Sequence, residues 1–125
     1  MAATSSVGTR DLQERTFRFA LQIVKLCRHL EVKSGVSRIL ARQLLRAGTS
    51  IGANVEEAQA AQSRPDFIHK NSVALKEARE THYWLRLLAA SGEVPVQAIA
   101  PLQQEADELM RIVGAIVVSS KRNSR

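Results

Sequence analysis

The chain has a single cysteine, Cys27, in 125 residues. One thiol cannot close an intrachain disulfide, and with three scattered histidines it leaves no plausible zinc cluster. Aromatic side chains are nearly as scarce, limited to Phe17, Phe19, Phe67, Tyr83 and Trp84. That argues against a β-sandwich or barrel, whose strands favour aromatic and β-branched residues. Long apolar runs are missing too. The longest, IVGAIVV at 112–118, falls far short of the roughly 20 residues that span a bilayer. The opening MAATSSVGTR lacks the apolar core of a signal peptide. A cytoplasmic protein with no membrane partner is therefore expected, and an unpaired thiol suits a reducing compartment.

The motifs of common chemistries are also absent. There is no GxxxxGKS/T, GxGxxG, GxSxG or HExxH. His29, His69 and His82 pair with no obvious nucleophile or carboxylate. Glu56, Glu57, Glu77 and Glu80 fail the di-iron bundle pattern because no Glu-x-x-His pair accompanies them. No catalytic residue, metal ligand or cofactor site is assigned, and the chain is not expected to be an enzyme.

What is present favours helices. Hydrophobic residues make up 45% of the chain, and Ala, Leu, Arg, Glu and Gln dominate. The periodicity predicts four helical segments. The first runs from about Asp11 to Glu31 with Thr9 as candidate N-cap. Leu12, Phe19, Ile23, Leu26, Cys27 and Leu30 share one face, and Phe17, Leu21 and Val24 widen it. The second runs from about Ser37 to Gln62 with a seam of Leu40, Leu44, Ala47, Ile51, Val55 and Ala58. Gly48 and Gly52 lie inside it, each costing about 1 kcal/mol relative to Ala. They mark either a kink or a close approach of another backbone. The third begins at Ser63-Arg64-Pro65-Asp66, a capping-box-like start, and continues to about Ala90. Its seam is Phe67, Asn71, Ala74, Ala78, Thr81, Leu85 and Leu88, with Val73, Trp84 and Leu87 on a second flank. The fourth follows Pro95 to about Ser120, with Leu102, Ala106, Leu109, Val113 and Ile116 inward and a start or kink expected at Pro101.

Long helices joined by short loops read as an all-α, antiparallel up-down-up-down four-helix bundle. The bundle is placed at 11–120, with 1–10 a flexible N-terminal segment and 121–125 a polar tail. Two apolar sides on the first and third helices exceed what one small bundle covers, so a homo-oligomer is expected.

The net charge of +6 is unevenly spread. Residues 1–50 hold nine Lys and Arg against three Asp and Glu, while 51–92 balance at five each and 93–125 at four each. Thirteen of the eighteen cations are Arg, whose planar fork suits phosphate and carboxylate. Arg15, Arg18, Lys25 and Arg28 share the polar side of the first helix, and Arg38, Arg42 and Arg46 form a ladder on the second. Two readings stay open for these seven: phosphate contacts with a nucleic acid, or solubilising helix faces.

The stretch QLLRAGTSIGANVEEAQAAQSRPDFIHKNSVALKEARETHYWLRLL, Gln43 to Leu88, resembles the core of a bacterial family. These are the four-helix-bundle proteins first noticed as reading frames in intervening sequences of 23S ribosomal RNA genes. Arg10-Asp11-Leu12 and EADELMRIVGAI (105–116) resemble the family's first and last helices. Of the family wording S-I-P-x-N-I-A-E-G, Ser50, Ile51, Asn54, Val55 and Glu57 fit. Gly52 stands for the Pro and Ala58 for the Gly, and both keep a bend possible. The resemblance implies a bundle assembled as a closed ring of five subunits. A related branch, the accessory variability determinant of diversity-generating retroelements, is a basic pentamer that binds nucleic acid and a reverse transcriptase.

Asn54 and Glu57 carry over as family features, read first as hydrogen-bonding within the bent helix or a subunit contact. Trp84 reads as a core or interface anchor. The function expected is a non-catalytic nucleic-acid-binding accessory factor for RNA or DNA. The alternative is a protein-interaction scaffold with no nucleic-acid role.

Overall fold

A computed structural model describes residues 2–33 and 35–123, with side chains from Asp11 onward. The chain forms four helices: α1 (Ala2–Glu31), α2 (Val36–Gln59), α3 (Arg64–Ala90) and α4 (Val96–Asn123). No strand occurs among the described residues. α1 begins at Ala2 rather than near Asp11, so Thr9 lies inside the helix and not at its cap. α2 ends at Gln59, short of the expected Gln62, with Ala60 as its C-cap. α4 runs past Ser120 through Lys121 and Arg122, while Ser124 and Arg125 lie outside the described residues.

Local chemistry sets these limits. The Ser63 side chain accepts a hydrogen bond from the Asp66 amide at 3.2 Å, and Pro65 sits in the first turn, so α3 starts as its sequence predicts. Gly35 and Gly92 hold φ values of 69° and 79° in the turns before α2 and after α3, where a side chain would strain the backbone. Pro101 neither starts nor ends a helix. It sits inside α4 on an exposed position, where water can take up the carbonyl left without a donor.

The core follows the sequence seams closely. Asn71, Ala74, Ala78, Thr81, Leu85 and Leu88 are the buried residues of α3, and Phe67 is half-buried. On α1, Leu12, Thr16, Phe19, Ile23, Cys27 and Leu30 are buried, whereas Leu26 is only partly so. Leu40 and Ile116 likewise sit at the core's edge, and Ala41, Ile99 and Val117 occupy positions inside it. Buried hydroxyls turn onto their own helix: Thr16 donates to the Gln13 carbonyl at 3.1 Å and Thr81 to Glu77 at 2.7 Å.

α2 is continuous helix through Gly48 and Gly52. A Cβ at Gly48 would lie 2.9 Å from Ile23 Cγ2, and one at Gly52 would lie 3.2 Å from Thr16 Oγ1 and 3.4 Å from the Thr16 backbone. The glycines therefore mark the close approach of α1, the second of the two meanings their spacing allows. α2 also packs on α3, and α3 on α4; the backbones of α1 and α4 approach sparsely, and those of α1 and α3 do not approach closely.

Arg15 clips the sparse α1–α4 seam. Its Nε and Nη2 donate to the two Glu105 oxygens at 2.7 and 2.8 Å, and Nη2 also reaches Glu108 at 2.6 Å. These bonds, Glu105 first, raise the guanidinium pKa further above its ordinary value. At the bundle's end, Lys33 Nζ donates to the Glu93 carbonyl at 3.3 Å and Ser37 Oγ donates to the Glu93 carboxylate.

Gly48→Ala is expected to destabilise the fold despite Ala's better helix propensity, because Ile23 is fully buried and cannot yield. Gly52→Leu is expected to cost about 3 kcal/mol or more, or to prevent folding. Gly114→Ala should do the opposite, gaining roughly 0.5–1 kcal/mol, since its Cβ would meet Leu75 only at 3.9 Å. Denaturant midpoints of the three variants check this pattern.

Cys27 generates a second expectation. Burial, then the Glu31 charge, push its thiol pKa from 9.0 up to about 12, and its Sγ donates to the Ala41 carbonyl at 3.3 Å. The folded pKa exceeds the unfolded one, so this stabilisation is fully present below pH 9 and is lost as pH rises from 9 toward 12. Above pH 9 the wild type should lose about 1.4 kcal/mol per pH unit relative to Cys27→Ala. Urea unfolding at pH 8 and pH 10.5 measures the difference.

Candidate nucleic-acid interface

The seven cations expected at an anionic surface fall into three groups once the chain is folded. Arg15 is held by Glu105 and Glu108. Arg46 reaches from α2 to α3, bonding Glu77 at 3.3 Å and also Glu80. Arg38 and Arg42 share Glu31 more loosely, at 3.9 and 3.5 Å, and remain exposed. Arg18, Lys25 and Arg28 are exposed on α1 and have no ion-pair partner among the described residues. The ladder on α2 is thus partly used in holding helices together.

An apolar face adjoins these cations. Phe17 is 66% exposed and Leu21 45% on α1, and Leu45 is 37% exposed on α2. Between the two helices runs a groove of about 280 Å³ whose lining includes Phe17, Ala20, Gly52 and Ala53. The glycine contact that brings α1 onto α2 also forms the groove's floor.

Asn54 Nδ2 donates to the Ser50 carbonyl at 2.8 Å, a bond within α2. Glu57 faces α3, where Lys70 Nζ lies 3.1 Å away. Trp84 is partly buried against the core, and its Nε1 donates to Glu80 at 3.0 Å. Gly48 and Gly52 lie at the α1–α2 contact. These five residues are therefore not gathered into one pocket. No group of three or more His, Cys, Asp or Glu side chains suited to a metal exists among the described residues. No described helix is long and apolar enough to cross a membrane.

A second basic face was hidden by the balanced charge of residues 51–92. Lys76, Arg79 and Arg86 all project outward from α3, and none has an ion-pair or hydrogen-bond partner among the described residues. Glu77 and Glu80 turn instead toward Arg46 of α2. The 100° step per residue was the available signal, since it separates these cations from the glutamates.

A family model described as 23S rRNA-intervening sequence protein matches residues 10–115. Among solved structures, the fold is similar to a crystal structure of a protein with unknown function from the S23 ribosomal protein family of Bacteroides thetaiotaomicron. Identity is 38% and the TM-score 0.79, with 85% of this chain and 97% of that one covered. No functionally curated protein matches the chain. The seams of the four-helix core and the Gln43–Leu88 motif fit this assignment, and the chain belongs to the 23S rRNA-intervening sequence protein family.

Proposed function

We propose that the protein is a non-catalytic, cytoplasmic accessory factor that self-assembles and binds RNA or DNA through phosphate contacts. The observation carrying this reading is the row of Arg18, Lys25 and Arg28, exposed on α1 without an ion-pair partner among the described residues. Unpaired guanidinium and ammonium groups on a chain of net charge +6 attract polyanions and release their counterions. Arg38 and Arg42 extend the surface, because Glu31 holds them at 3.9 and 3.5 Å only. Arg15 and Arg46 act mainly as helix clips in this scheme.

Antiparallel up-down order is supported by the contacts between neighbours. Gln13 meets Glu56 at 2.8 Å, Thr16 lies at Gly52, Ile23 at Gly48 and Cys27 at Ala41, so one helix number rises as the other falls. Self-association is supported by Phe17, Leu21 and Leu45, which together leave more apolar surface than an isolated bundle needs to expose. Assembly as a closed ring of five is the form the family resemblance favours. Its identical copies would repeat the basic surface around an axis.

Two measurements test the reading. Light scattering at micromolar concentration is expected to show an oligomer, and Phe17→Glu with Leu21→Glu to reduce it to smaller species. The log affinity for nucleic acid is expected to fall steeply with log salt. Replacing Arg18, Lys25 and Arg28 together by Gln should reduce that slope by up to about 2–3, equally for different sequences. A wild-type protein that retains no nucleic acid at low salt would favour the interaction scaffold instead.

A further inference from the structure

Tyr83 is large, aromatic and 53% exposed, yet it is not mobile surface filler. Its ring and that of Trp84 form a T-shaped pair, with centroids 5.2 Å apart and planes at 72°. Trp84 is fixed in turn by its Nε1 bond to Glu80 at 3.0 Å, and Arg46 of α2 grips Glu80 and Glu77. A chain of contacts from the neighbouring helix therefore backs Tyr83, about half of which stays exposed. Such ordering lowers the entropy lost when a ligand settles on it.

The ring's surroundings are cationic. Arg79 and Arg86 flank Tyr83 four residues before and three after, on its side of α3, with Lys76 one turn beyond Arg79. At 1.5 Å per residue, the two arginines sit about 10 Å apart along the helix with the ring between them. Beside the ring a shallow pocket of about 150 Å³ is lined by Tyr83, Arg86, Leu87 and Ala90. Its wall thus combines an apolar surface with one guanidinium.

We propose that this face of α3 is a stacking platform for single-stranded nucleic acid, one base lying on Tyr83 and flanking phosphates on Arg79 and Arg86. It rests on the nucleic-acid reading above and adds to it a second surface and a strand class. Cations alone would accept any polyanion, including an acidic peptide. A half-exposed aromatic ring between two arginines is matched by a ligand with flat rings and regularly spaced negative charges. Duplex bases have their faces covered by neighbouring pairs, so only an unpaired strand presents one to the ring. α3 lies across the bundle from α1, so this platform and the α1 cations are separate surfaces.

The test uses the intact protein with fluorescein-labelled single-stranded oligouridine and a duplex RNA of equal length, titrated at several low salt concentrations. Tyr83→Ala is expected to weaken oligouridine binding about tenfold and to leave duplex affinity and both salt slopes unchanged. Tyr83→Phe should bind as wild type. Arg79→Gln with Arg86→Gln should reduce the single-strand salt slope by about 1.4. Trp84, the sole tryptophan, should change its emission when oligouridine binds the wild type but not Tyr83→Ala. The platform is overturned if Tyr83→Ala binds oligouridine normally, or loses duplex and single strand alike. It is equally overturned if that variant changes the subunit number, which would make the ring a subunit contact, or if the double arginine variant keeps the full slope. In these cases the wild type still binds, so the phosphate-contact reading stands; a wild type that binds neither nucleic acid defeats both.

Discussion

The contact of α1 with α2 at Gly48 and Gly52 is the constraint on which the rest of the molecule depends. Without Cβ atoms there, α2 lets Ile23 and Thr16 settle against its backbone, where a methyl group would clash at Gly48 and be tight at Gly52. Two mid-helix glycines reduce the intrinsic helicity of α2, so the helix relies on this packing to offset the loss. The same approach buries Ile23 and leaves Phe17 at the rim of a shallow groove. The close packing of α1 on α2 thus depends on one pair of small residues.

Ion pairs do a complementary task at the seams that apolar packing closes less well. Arg15 joins α1 to α4, Arg46 joins α2 to α3, and Lys70 reaches Glu57 from α3 to α2. Pairs this exposed contribute little to stability individually, but each neutralises carboxylates that would otherwise dilute the positive field. Glu57, Glu77, Glu80, Glu105 and Glu108 lie at seams between helices, so the outward side of α3 stays basic, while exposed Asp11 and Glu14 share α1 with Arg18, Lys25 and Arg28. A segment whose charges balance along the chain thereby presents a biased face on α3.

That separation bears on how a basic protein of this family could treat a polyanion. Arg18, Lys25 and Arg28 lie on the helix that also exposes Phe17 and Leu21. The α3 face instead combines cations with Tyr83, whose orientation is set through Trp84, Glu80 and Arg46. Arg46, placed by the sequence on the basic ladder of α2, also holds Glu80 behind the Trp84–Tyr83 pair.

The sequence by itself determined the four helices and most of their inward faces. Apolar spacings of three and four residues dictate which side of each helix leaves water, and the α3 seam from Asn71 to Leu88 is buried as its spacing requires. The Ser63-Arg64-Pro65-Asp66 start was equally legible, because capping is a local interaction. Family membership was readable for the same reason, through the Gln43–Leu88 motif. The tertiary structure alone decided what the glycines do, since a kink and a close approach leave the same mark in one strand of sequence. It also decided which cations are free. Arg15 and Arg46 are paired with glutamates up to 93 residues away, and no local pattern reports so distant a partner. The balanced charge of residues 51–92 concealed the α3 face because a count along the chain ignores direction around the helix, whereas folding sends glutamates to the seam and arginines outward.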